Sequence, residues 1–321
     1  MPKYTIGLDI GGTKITCGLV NKKGEVIKKI KIRTSRKISQ AVKDIVSVID
    51  KISEGERYPI GLGCAGQIDV NSGRVIYSPN MPAWRGVPLL KILHKKLTAG
   101  HPERSEGSPR LTREQGNSSA SGLRIKIDND ANCFTLAEWK FGAGKGFKNV
   151  IGLTLGTGIG SGAVLNGKLY EGCGNAPELG HTTVEVKGRA CTCEKLGHLE
   201  AYSSGRAIEK QYEKLCGKKL NATDIEKEAR QGNKKAAKVI RQAKEYLAVG
   251  ISNIVCAFDP DVIIFGGSIG IKMNSYYKGL NSLIKKNLFL KNKHIKIKKA
   301  KLGEDGGLIG AGLLMDADKL K

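Results

Sequence analysis

Two glycine-rich turns each follow an apolar run, the first in Ile6-Gly-Leu-Asp-Ile-Gly-Gly-Thr-Lys14 and the second in Ile151-Gly-Leu-Thr-Leu-Gly-Thr-Gly-Ile-Gly160. Such turns let backbone N–H groups approach anionic oxygens, and Thr13 and Thr157 add hydroxyl donors. A single copy would indicate little, because glycine also marks ordinary hairpins and bulges. Since both copies lead into a further apolar stretch, we predict a repeated half-domain with phosphate bound between the halves.

The size and composition are those of a globular protein. The chain has 321 residues, of which 40% are hydrophobic, and this length corresponds to about two domains. It contains no apolar run of about 18 residues, so we expect no membrane span. No apolar signal segment precedes Tyr4, and we therefore expect a cytoplasmic protein.

The formal net charge of +24 is of the kind that many nucleic-acid-binding proteins carry. The basic residues are spread over many segments, however, such as Lys28-Lys-Ile-Lys31 and Lys285-Lys286. Because charge alone fixes no partner, we expect a basic soluble protein that binds neither nucleic acid nor membranes. Attraction of anionic substrates such as ATP is a compatible use of this charge.

Eight cysteines are present, and in a cytoplasmic chain they argue against a disulfide framework. Half of them stand among apolar residues, and we predict that these four are small core residues. They are Cys17, Cys64, Cys133 and Cys256.

Cys191 and Cys193 lie instead in a polar loop, Arg189-Ala-Cys-Thr-Cys-Glu-Lys-Leu-Gly-His-Leu-Glu200. His198 follows Cys193 by five residues, and His181 precedes Cys191 by ten. Two thiolates and two imidazoles can complete a tetrahedral zinc site, so this spacing favours a metal. The alternative is a loop that holds unrelated cysteines, with His198 simply exposed.

Alternating strand and helix patterns indicate a mixed sheet covered by helices. Strands are expected at residues 4–10, 15–20, 26–33, 60–64, 123–128 and 261–265. Apolar residues at helical spacing predict helices at residues 38–52, 133–141, 204–215 and 233–258. The closing stretch from Asp305 to Met315 is rich in small residues, which would let a helix pack tightly against a sheet or a nucleotide, and of these we expect helix packing.

Residues 98–122 break this pattern, because they are polar, contain proline and glycine and show no apolar period. A structureless loop of this length is either functional or disordered. Its composition cannot supply a core, and we therefore predict a disordered surface insertion.

A carboxylate cluster, Asp128-Asn-Asp-Ala-Asn132, falls where a predicted strand ends and a helix begins. Folds of the α/β class bind ligands at such positions. A carboxylate there can equally be a helix N-cap, and we expect one of the two aspartates to be one. From residue types alone, a catalytic role and a structural role both stay open for Asp130.

Five segments together resemble the ROK family, which contains bacterial sugar kinases and related repressors. They are, in chain order, Asp9-Ile-Gly-Gly-Thr-Lys14, Asn129-Asp-Ala-Asn132, Leu155-Gly-Thr-Gly-Ile-Gly-Ser-Gly162, Glu178-Leu-Gly-His181 and residues 191–200. The resemblance runs from Tyr4 to about Met315, except for the insertion, and these segments look most like the family's glucokinases. It implies the actin-like, ribonuclease-H-like ATPase fold, an α/β architecture in which two α/β domains flank a catalytic cleft.

The resemblance also implies domain limits. We expect a small α/β domain over residues 1–128, which includes the insertion, and a large α/β domain with the zinc loop over residues 129–304. The C-terminal helix, at about residues 305–321, is expected to return to the small domain.

Functional roles are implied residue by residue. Asp130 matches the general base that takes the proton from the attacking sugar hydroxyl, although positioning matters as much as basicity in phosphoryl transfer. The remaining sugar contacts are matched by Gly66, Asn80, Asn129, Glu178, His181 and Glu200. The contacts to the nucleotide phosphates are matched by Gly11, Gly12, Thr13, Lys14, Gly156, Thr157 and Gly158. Asp9 matches a position near Mg²⁺, and Gly266 and Gly267 match a position near adenosine.

The metal loop departs from the family. The usual pattern is Cys-x-Cys-Gly-x-x-Gly-Cys-x-Glu, and here Glu194 replaces the first glycine and His198 the third cysteine. Histidine is a competent zinc ligand, so we still expect a site with two histidines and two cysteines, completed by His181. The zinc would be structural, and it would fix His181 and the loop that carries Glu200 for sugar binding.

The function implied is that of an ATP-dependent hexose kinase that makes glucose 6-phosphate, with Mg²⁺ and structural zinc. Kinases for N-acetylmannosamine, N-acetylglucosamine or fructose share every catalytic residue named above, and they stay open as alternatives. A sugar-sensing ROK repressor is less expected, because such proteins carry a helix-turn-helix domain ahead of the kinase-like part, where only eight residues precede Asp9. A homodimer is the family expectation.

Overall fold

The computed structural model describes residues 2–99, 122–289 and 295–319. They group into two units, one of Met1–Phe141, Lys168–Ala176 and Glu304–Lys321, and one of Gly142–Gly167 and Pro177–Gly303. The predicted insertion over residues 98–122 lies outside the described residues, except for Thr98 and Ala99, which end a helix, and Gly122.

Strands and helices alternate along the chain, as the apolar pattern predicts. The strands are β1 (Tyr4–Ile10), β2 (Lys14–Asn21), β3 (Val26–Arg33), β4 (Ile60–Cys64), β5 (Gln67–Asp69), β6 (Arg74–Tyr77), β7 (Ile125–Asn129), β8 (Val150–Leu155), β9 (Ile159–Leu165), β10 (Lys168–Leu169), β11 (Val262–Gly266) and β12 (Ile297–Lys299). The helices are α1 (Ile38–Ser53), α2 (Leu89–Ala99), α3 (Asp130–Phe141), α4 (Glu200–Ser203), α5 (Gly205–Cys216), α6 (Ala222–Arg230), α7 (Lys234–Phe258), α8 (Gly267–Lys272), α9 (Leu280–Asn287) and α10 (Gly306–Leu313).

The first unit is built on a sheet of strand order β3-β2-β1-β4-β7. β1 pairs antiparallel with β2 across the first glycine turn, and β4 lies parallel to β1 on its other side. β7 is parallel to β4, so β1, β4 and β7 all end at the same edge of the sheet. The apolar stripe of α1, which includes Val42, Ile45 and Ile49, packs into the core of this unit.

The second unit repeats this arrangement. Strands β9, β8, β11 and β12 lie side by side in that order. β8 pairs antiparallel with β9 across the second glycine turn, and β11 and β12 continue the sheet in parallel. Both glycine turns therefore join the first two strands of equivalent sheets, which confirms the predicted structural repeat.

Small residues on α10 allow very close packing in the first unit. A Cβ built on Gly310 would lie 1.7 Å from the carbonyl oxygen of Cys133 on α3, and one built on Gly61 of β4 would lie 1.7 Å from the carbonyl oxygen of Ala311. The helix backbone thus touches both a neighbouring helix and the sheet. This confirms that the small residues of the closing stretch serve helix packing.

One predicted core position is wrong. Cys17, Cys64 and Cys133 are buried, but Cys256 is exposed. It follows the buried pair Ile254 and Val255 on α7, and successive residues of a helix point about 100° apart, so it leaves the buried stripe.

The units group α3 with the first sheet, against which α10 also packs. The first segment of this unit therefore ends at Phe141, whereas the family resemblance implies a domain limit at residue 128. The domain limits implied by the resemblance stay a prediction. Within the described residues, no helix is long and apolar enough to cross a lipid bilayer.

Candidate active-site residues and a candidate metal centre

The first glycine turn joins β1 to β2 and is held by its own neighbours. The Gly11 N–H donates to the Lys14 carbonyl at 3.0 Å, and the Thr34 hydroxyl donates to the Gly11 carbonyl at 2.6 Å. The N–H groups of Gly12 and Thr13 meet no acceptor among the described residues. The turn therefore presents two adjacent N–H donors, an arrangement that suits the binding of an anionic oxygen.

Two carboxyl groups lie near this turn. Asp9 is at the end of β1, and Asp130 is the first residue of α3. Burial and the charge of Asp130 raise the pKa of Asp9 to about 6, while Lys14 acts in the opposite direction. Burial also raises the pKa of Asp130. The backbone of α10 comes close as well, since a Cβ built on Gly307 would lie 3.2 Å from the Asp9 carboxyl carbon.

Asn129 fixes the start of α3 beside these carboxyls. Its Oδ1 accepts from the Ala131 N–H at 2.7 Å, and its Nδ2 donates to the Gly66 carbonyl at 2.7 Å. The N-cap of α3 is therefore Asn129, and the prediction that Asp128 or Asp130 caps this helix is wrong. The Asp130 oxygen only makes a longer contact, of 3.0 Å, to the same Ala131 N–H.

Gly66 and Asn80, both predicted sugar contacts, lie in the same unit. Gly66 has a φ of +112°, and a Cβ there would lie 2.4 Å from the Tyr77 carbonyl oxygen, so the position requires glycine. Asn80 is exposed and lies against the first turn, because a Cβ built on Gly12 would lie 2.8 Å from the Asn80 Cβ. The first unit thus places Gly66 beside Asn129 and Asn80 beside the turn.

The second glycine turn joins β8 to β9 in the second unit. The Gly156 N–H donates to the Gly158 carbonyl at 3.0 Å, which repeats the internal hydrogen bond of the first turn. The N–H groups of Gly205 and Arg206 donate to the carbonyls of Gly156 and Thr157 at 2.8 and 3.4 Å. Within the described chain, the N–H groups of Thr157 and Gly158 have no acceptor.

Gly266 and Gly267 join β11 to α8 next to the second turn. Gly267 has a φ of +74°, and a Cβ there would lie 2.4 Å from the carbonyl oxygen of Leu155, the last residue of β8. Only glycine allows so close an approach between the two strand ends.

Glu200, the first residue of α4, is buried with both carboxylate oxygens engaged. Oε2 accepts from the Ile159 N–H at 2.9 Å, and Oε1 accepts from the Thr192 hydroxyl at 2.6 Å. A Cβ built on Gly158 would lie 2.4 Å from Oε2. The Glu200 carboxylate therefore leaves no room for a side chain at Gly158, a steric constraint that the sequence pattern does not predict.

Glu178 and His181 lie on a short segment fastened to β9. The His181 N–H donates to the Glu178 carbonyl at 3.0 Å. The Ser161 hydroxyl accepts from the Leu179 N–H and donates to the Pro177 carbonyl, both at 2.8 Å. One buried serine therefore fixes the segment that carries both predicted sugar contacts.

The four predicted metal ligands come together in the second unit. They are His181, Cys191, Cys193 and His198, and one donor atom of each lies within 4.8 Å of all the others. The Cys191 Sγ is 3.5 Å from the His181 Nδ1, and the Cys193 Sγ is 3.2 Å from the His198 Nδ1. Zn–S and Zn–N bonds of about 2.3 and 2.0 Å at tetrahedral angles place sulfur and nitrogen about 3.5 Å apart. The donor set therefore fits zinc in both chemistry and spacing.

Two further observations bear on this loop. Burial and the neighbouring His181 lower the pKa of His198, which favours the neutral imidazole that metal binding requires. Glu194 has a φ of +68°. Glycine is favoured at such angles, and glycine is the residue of the usual pattern at this position.

Comparison with known proteins decides the family. The model of the ROK family matches residues 5–100 and 117–318. The chain belongs to the ROK family. Among curated relatives, this ROK protein is 35% identical to a glucokinase from Thermotoga maritima over 84% of this chain and 83% of that protein. It is 34% identical to an N-acetyl-D-glucosamine kinase from Photobacterium profundum over 96% of this chain and 98% of that protein.

Solved structures of ROK proteins share the fold. A ROK hexokinase from Thermus thermophilus matches with a TM-score of 0.81 at 29% identity over 97% of both chains. A ROK family glucokinase from Streptomyces griseus, solved with glucose and AMPPNP, matches with a TM-score of 0.77 at 29% identity over 97% of this chain and 98% of that chain. The predicted actin-like α/β ATPase fold is thereby confirmed.

Two residues near these sites have contacts that the sequence does not predict. Thr192 binds Glu200, and its position between two cysteines is the only sequence signal that could have drawn attention to it. Asp128 is 2% exposed, and its Oδ1 accepts from the Asn129 N–H at 2.6 Å and from the Asn132 side-chain amide at 2.9 Å. These hydrogen bonds fix the end of β7 that leads to Asp130, and burial raises the pKa of Asp128 to about 7.

Proposed function

We propose that this ROK protein is an ATP-dependent hexose kinase with glucose as its first candidate substrate. The observation that carries the proposal is the setting of Asp130. It follows Asn129, the helix-capping residue at the end of β7, and its charge acts on the carboxyl group of Asp9. Its position in the fold is the strand end at which α/β proteins bind ligands. Relatives that are glucokinases and N-acetylglucosamine kinases support the same assignment.

In this proposal, Asp130 acts as the general base. Its carboxylate accepts the proton of a sugar hydroxyl as that oxygen forms a bond to the γ-phosphorus of ATP. The bond between the γ-phosphorus and the bridging oxygen breaks, and ADP leaves with the electron pair. Burial raises the pKa of Asp130, which makes it a better proton acceptor than an exposed aspartate.

The two glycine turns are proposed to bind the phosphates of the nucleotide. Their support is the pair of N–H groups in each turn that have no acceptor in the part of the chain that the structure describes, at Gly12 and Thr13 and at Thr157 and Gly158. Lys14 would add a positive charge, and Gly266 and Gly267 would lie near adenosine. When bound, Mg²⁺ would neutralise phosphate charge, and Asp9 is the residue proposed to face it.

The residues proposed to bind the sugar are those that the family resemblance matches to sugar contacts. They are Gly66, Asn80, Asn129, Glu178, His181 and Glu200. Carboxylates and amides suit the paired hydroxyls of a sugar, because each can bind two neighbouring groups.

We further propose structural zinc bound by His181, Cys191, Cys193 and His198. When bound, zinc would crosslink these four side chains and would leave no coordination position open for chemistry. The crosslinked side chains would keep His181 and the loop leading to Glu200 in place. The support is the fit of the four donor atoms.

N-acetylglucosamine is the second candidate substrate. The N-acetylglucosamine kinase of Photobacterium profundum aligns over 96% of this chain, whereas the glucokinase of Thermotoga maritima aligns over 84%. Every residue assigned above to catalysis would serve either sugar. The same residues would serve if the substrate were N-acetylmannosamine or fructose.

The deciding experiment measures ADP production from ATP with glucose, mannose, fructose, N-acetylglucosamine and N-acetylmannosamine. The substrate is the sugar with the highest kcat/KM, and glucose is expected. A rate at background for all five, in protein that binds a sugar by calorimetry, would instead support a non-catalytic sugar sensor.

ATP and free hexoses are found in the cytoplasm, and we propose that the protein works there as a homodimer. The dimer rests on the family resemblance. Light scattering after size-exclusion chromatography tests it, and a mass near that of one 34.5 kDa chain would exclude it.

A further inference from the structure

The candidate metal loop and the second glycine turn are joined through a single side chain. With one carboxylate oxygen, Glu200 accepts from the Thr192 hydroxyl at 2.6 Å, and with the other it accepts from the Ile159 N–H at 2.9 Å. Thr192 stands between Cys191 and Cys193, and Ile159 is the first residue after the turn. One buried carboxylate therefore bridges two loops that are distant in sequence.

The segment that begins at Glu200 also contacts the second glycine turn through its backbone. Gly205 and Arg206 donate backbone hydrogen bonds to the carbonyls of Gly156 and Thr157 at 2.8 and 3.4 Å. These bonds and the carboxylate contact come from one stretch of seven residues. The position of the turn therefore depends on where this segment lies. The metal loop contacts Glu200, its first residue, through the Thr192 hydroxyl at 2.6 Å and, at the longer distance of 3.7 Å, through the Cys191 Sγ.

We propose that Thr192 is a positioning residue that couples the metal loop to the binding of nucleotide phosphates. The inference rests on the proposed function, in which the second turn binds those phosphates. Hydrogen bonds to a carboxylate are among the stronger ones, and a buried carboxylate that loses one must find another donor. Loss of the Thr192 hydroxyl would therefore shift Glu200 away from Ile159 and release one fixed point of the turn.

A role for Glu200 in sugar binding alone does not account for this geometry. A glutamate that only binds sugar needs to present its carboxylate to a sugar hydroxyl and to nothing else. Here, both carboxylate oxygens already accept from protein donors, and Gly158 is close enough to exclude any side chain larger than hydrogen. The metal loop is therefore expected to influence nucleotide binding as well as sugar binding.

The test compares Thr192→Val with Thr192→Ser. Valine keeps the shape of the side chain and removes the donor, whereas serine keeps the donor. Thr182→Val is the matched control, because the Thr182 hydroxyl donates to the Leu179 carbonyl at 2.8 Å in the same region. Calorimetry measures the affinity for AMPPNP with Mg²⁺ and, separately, for the sugar that the wild-type protein binds, and elemental analysis measures zinc.

We expect Thr192→Val to retain zinc and to bind AMPPNP about fivefold more weakly or worse. Thr192→Ser and Thr182→Val should bind AMPPNP as the wild type does. Removal of zinc with a chelator should weaken AMPPNP binding in the wild type and do so less in Thr192→Val, because the two changes act on the same link.

Wild-type AMPPNP affinity in zinc-loaded Thr192→Val would overturn the inference and leave the proposed function intact. If that variant loses zinc, the comparison moves to the wild-type protein with and without zinc. Equal AMPPNP affinities of these two forms would overturn the coupling. A wild-type protein that binds neither AMPPNP nor any of the five sugars would overturn the proposed function itself, and the coupling with it.

Discussion

Asp9 and Asp130 interact electrostatically in the first unit, where burial and then the charge of Asp130 raise the pKa of Asp9 to about 6. Two neighbouring carboxylates oppose each other's ionisation, and a proton or a cation relieves the repulsion. The pair is therefore suited to a site that binds a cation beside a proton acceptor. The two residues come from different elements, β1 and α3, and α10 packs against both.

Asp130→Asn is expected to abolish most turnover while leaving sugar binding in place. Asparagine keeps the shape of the side chain but accepts no proton, and loss of a general base typically reduces the rate by about 10²- to 10⁴-fold. The rate of ADP production gives kcat, and calorimetry gives the sugar affinity. Asp50→Asn, on the exposed face of α1, is the control and should be fully active. A kcat above one tenth of the wild-type value, a threshold set from the about 10²-fold lower bound, would remove Asp130 from the role of base.

Stability should fall as pH rises from about 4 to 7. Burial raises the pKa of Asp128 to about 7 and that of Asp9 to about 6, both from 3.8. The native state therefore binds these protons more tightly than the unfolded state, so the stabilisation is complete below pH 4 and is lost as pH passes through the native pKa values. For Asp128 the change is at most about 4 kcal/mol.

Asp128→Asn should flatten this dependence, because the amide cannot ionise. Urea unfolding at several pH values between 4 and 8 gives the free energy of unfolding for each protein. Asp69→Asn is the control with the opposite sign, since the hydrogen bonds that Ser72 donates to the Asp69 carboxylate lower the pKa of Asp69. It should leave the slope between pH 5 and 7 unchanged. An identical slope in Asp128→Asn and wild type would show that Asp128 is not the titrating group.

His198→Ala is expected to lose the bound metal. Removal of one of four ligands opens a structural site and weakens zinc binding severely. Elemental analysis of the purified protein should show one zinc per chain in the wild type and a small fraction of that in His198→Ala and Cys191→Ser. His198→Cys restores the usual ligand of the family and should keep the metal, and His94→Ala on α2 is the control. Full zinc occupancy in His198→Ala would exclude His198 from the site.

The elements near both glycine turns could be predicted from the sequence because their signals are local. β1 and β3 have the predicted limits, and α1 extends one residue past its predicted stretch. Each apolar period fixes a buried face directly, and each glycine turn fixes a hairpin. The four candidate metal ligands could be named for a similar reason, since three of them lie within eight residues.

Other features depend on partners that sequence spacing does not identify. Asn129 became the cap of α3 because its amide also reaches the Gly66 carbonyl on a neighbouring strand connection. Thr192 binds Glu200 because the metal loop folds back onto α4. Cys256 lies on the exposed face of α7, although its sequence neighbours are apolar. Each outcome is set by tertiary placement rather than by residue type.

Gly310→Ala should destabilise the protein, although alanine favours helices. In an exposed helix the change would stabilise by about 1 kcal/mol. Here the new Cβ would lie 1.7 Å from the Cys133 carbonyl oxygen, which is backbone and cannot rotate away. Overpacking of this kind typically costs about 1–3 kcal/mol, so the helices α10 and α3 must separate and the melting temperature should drop by several degrees. Gly156→Ala is the matched control, because its Cβ meets nothing within 4 Å, and its melting temperature should equal that of the wild type. Equal stability of Gly310→Ala and wild type would contradict the close contact between α10 and α3.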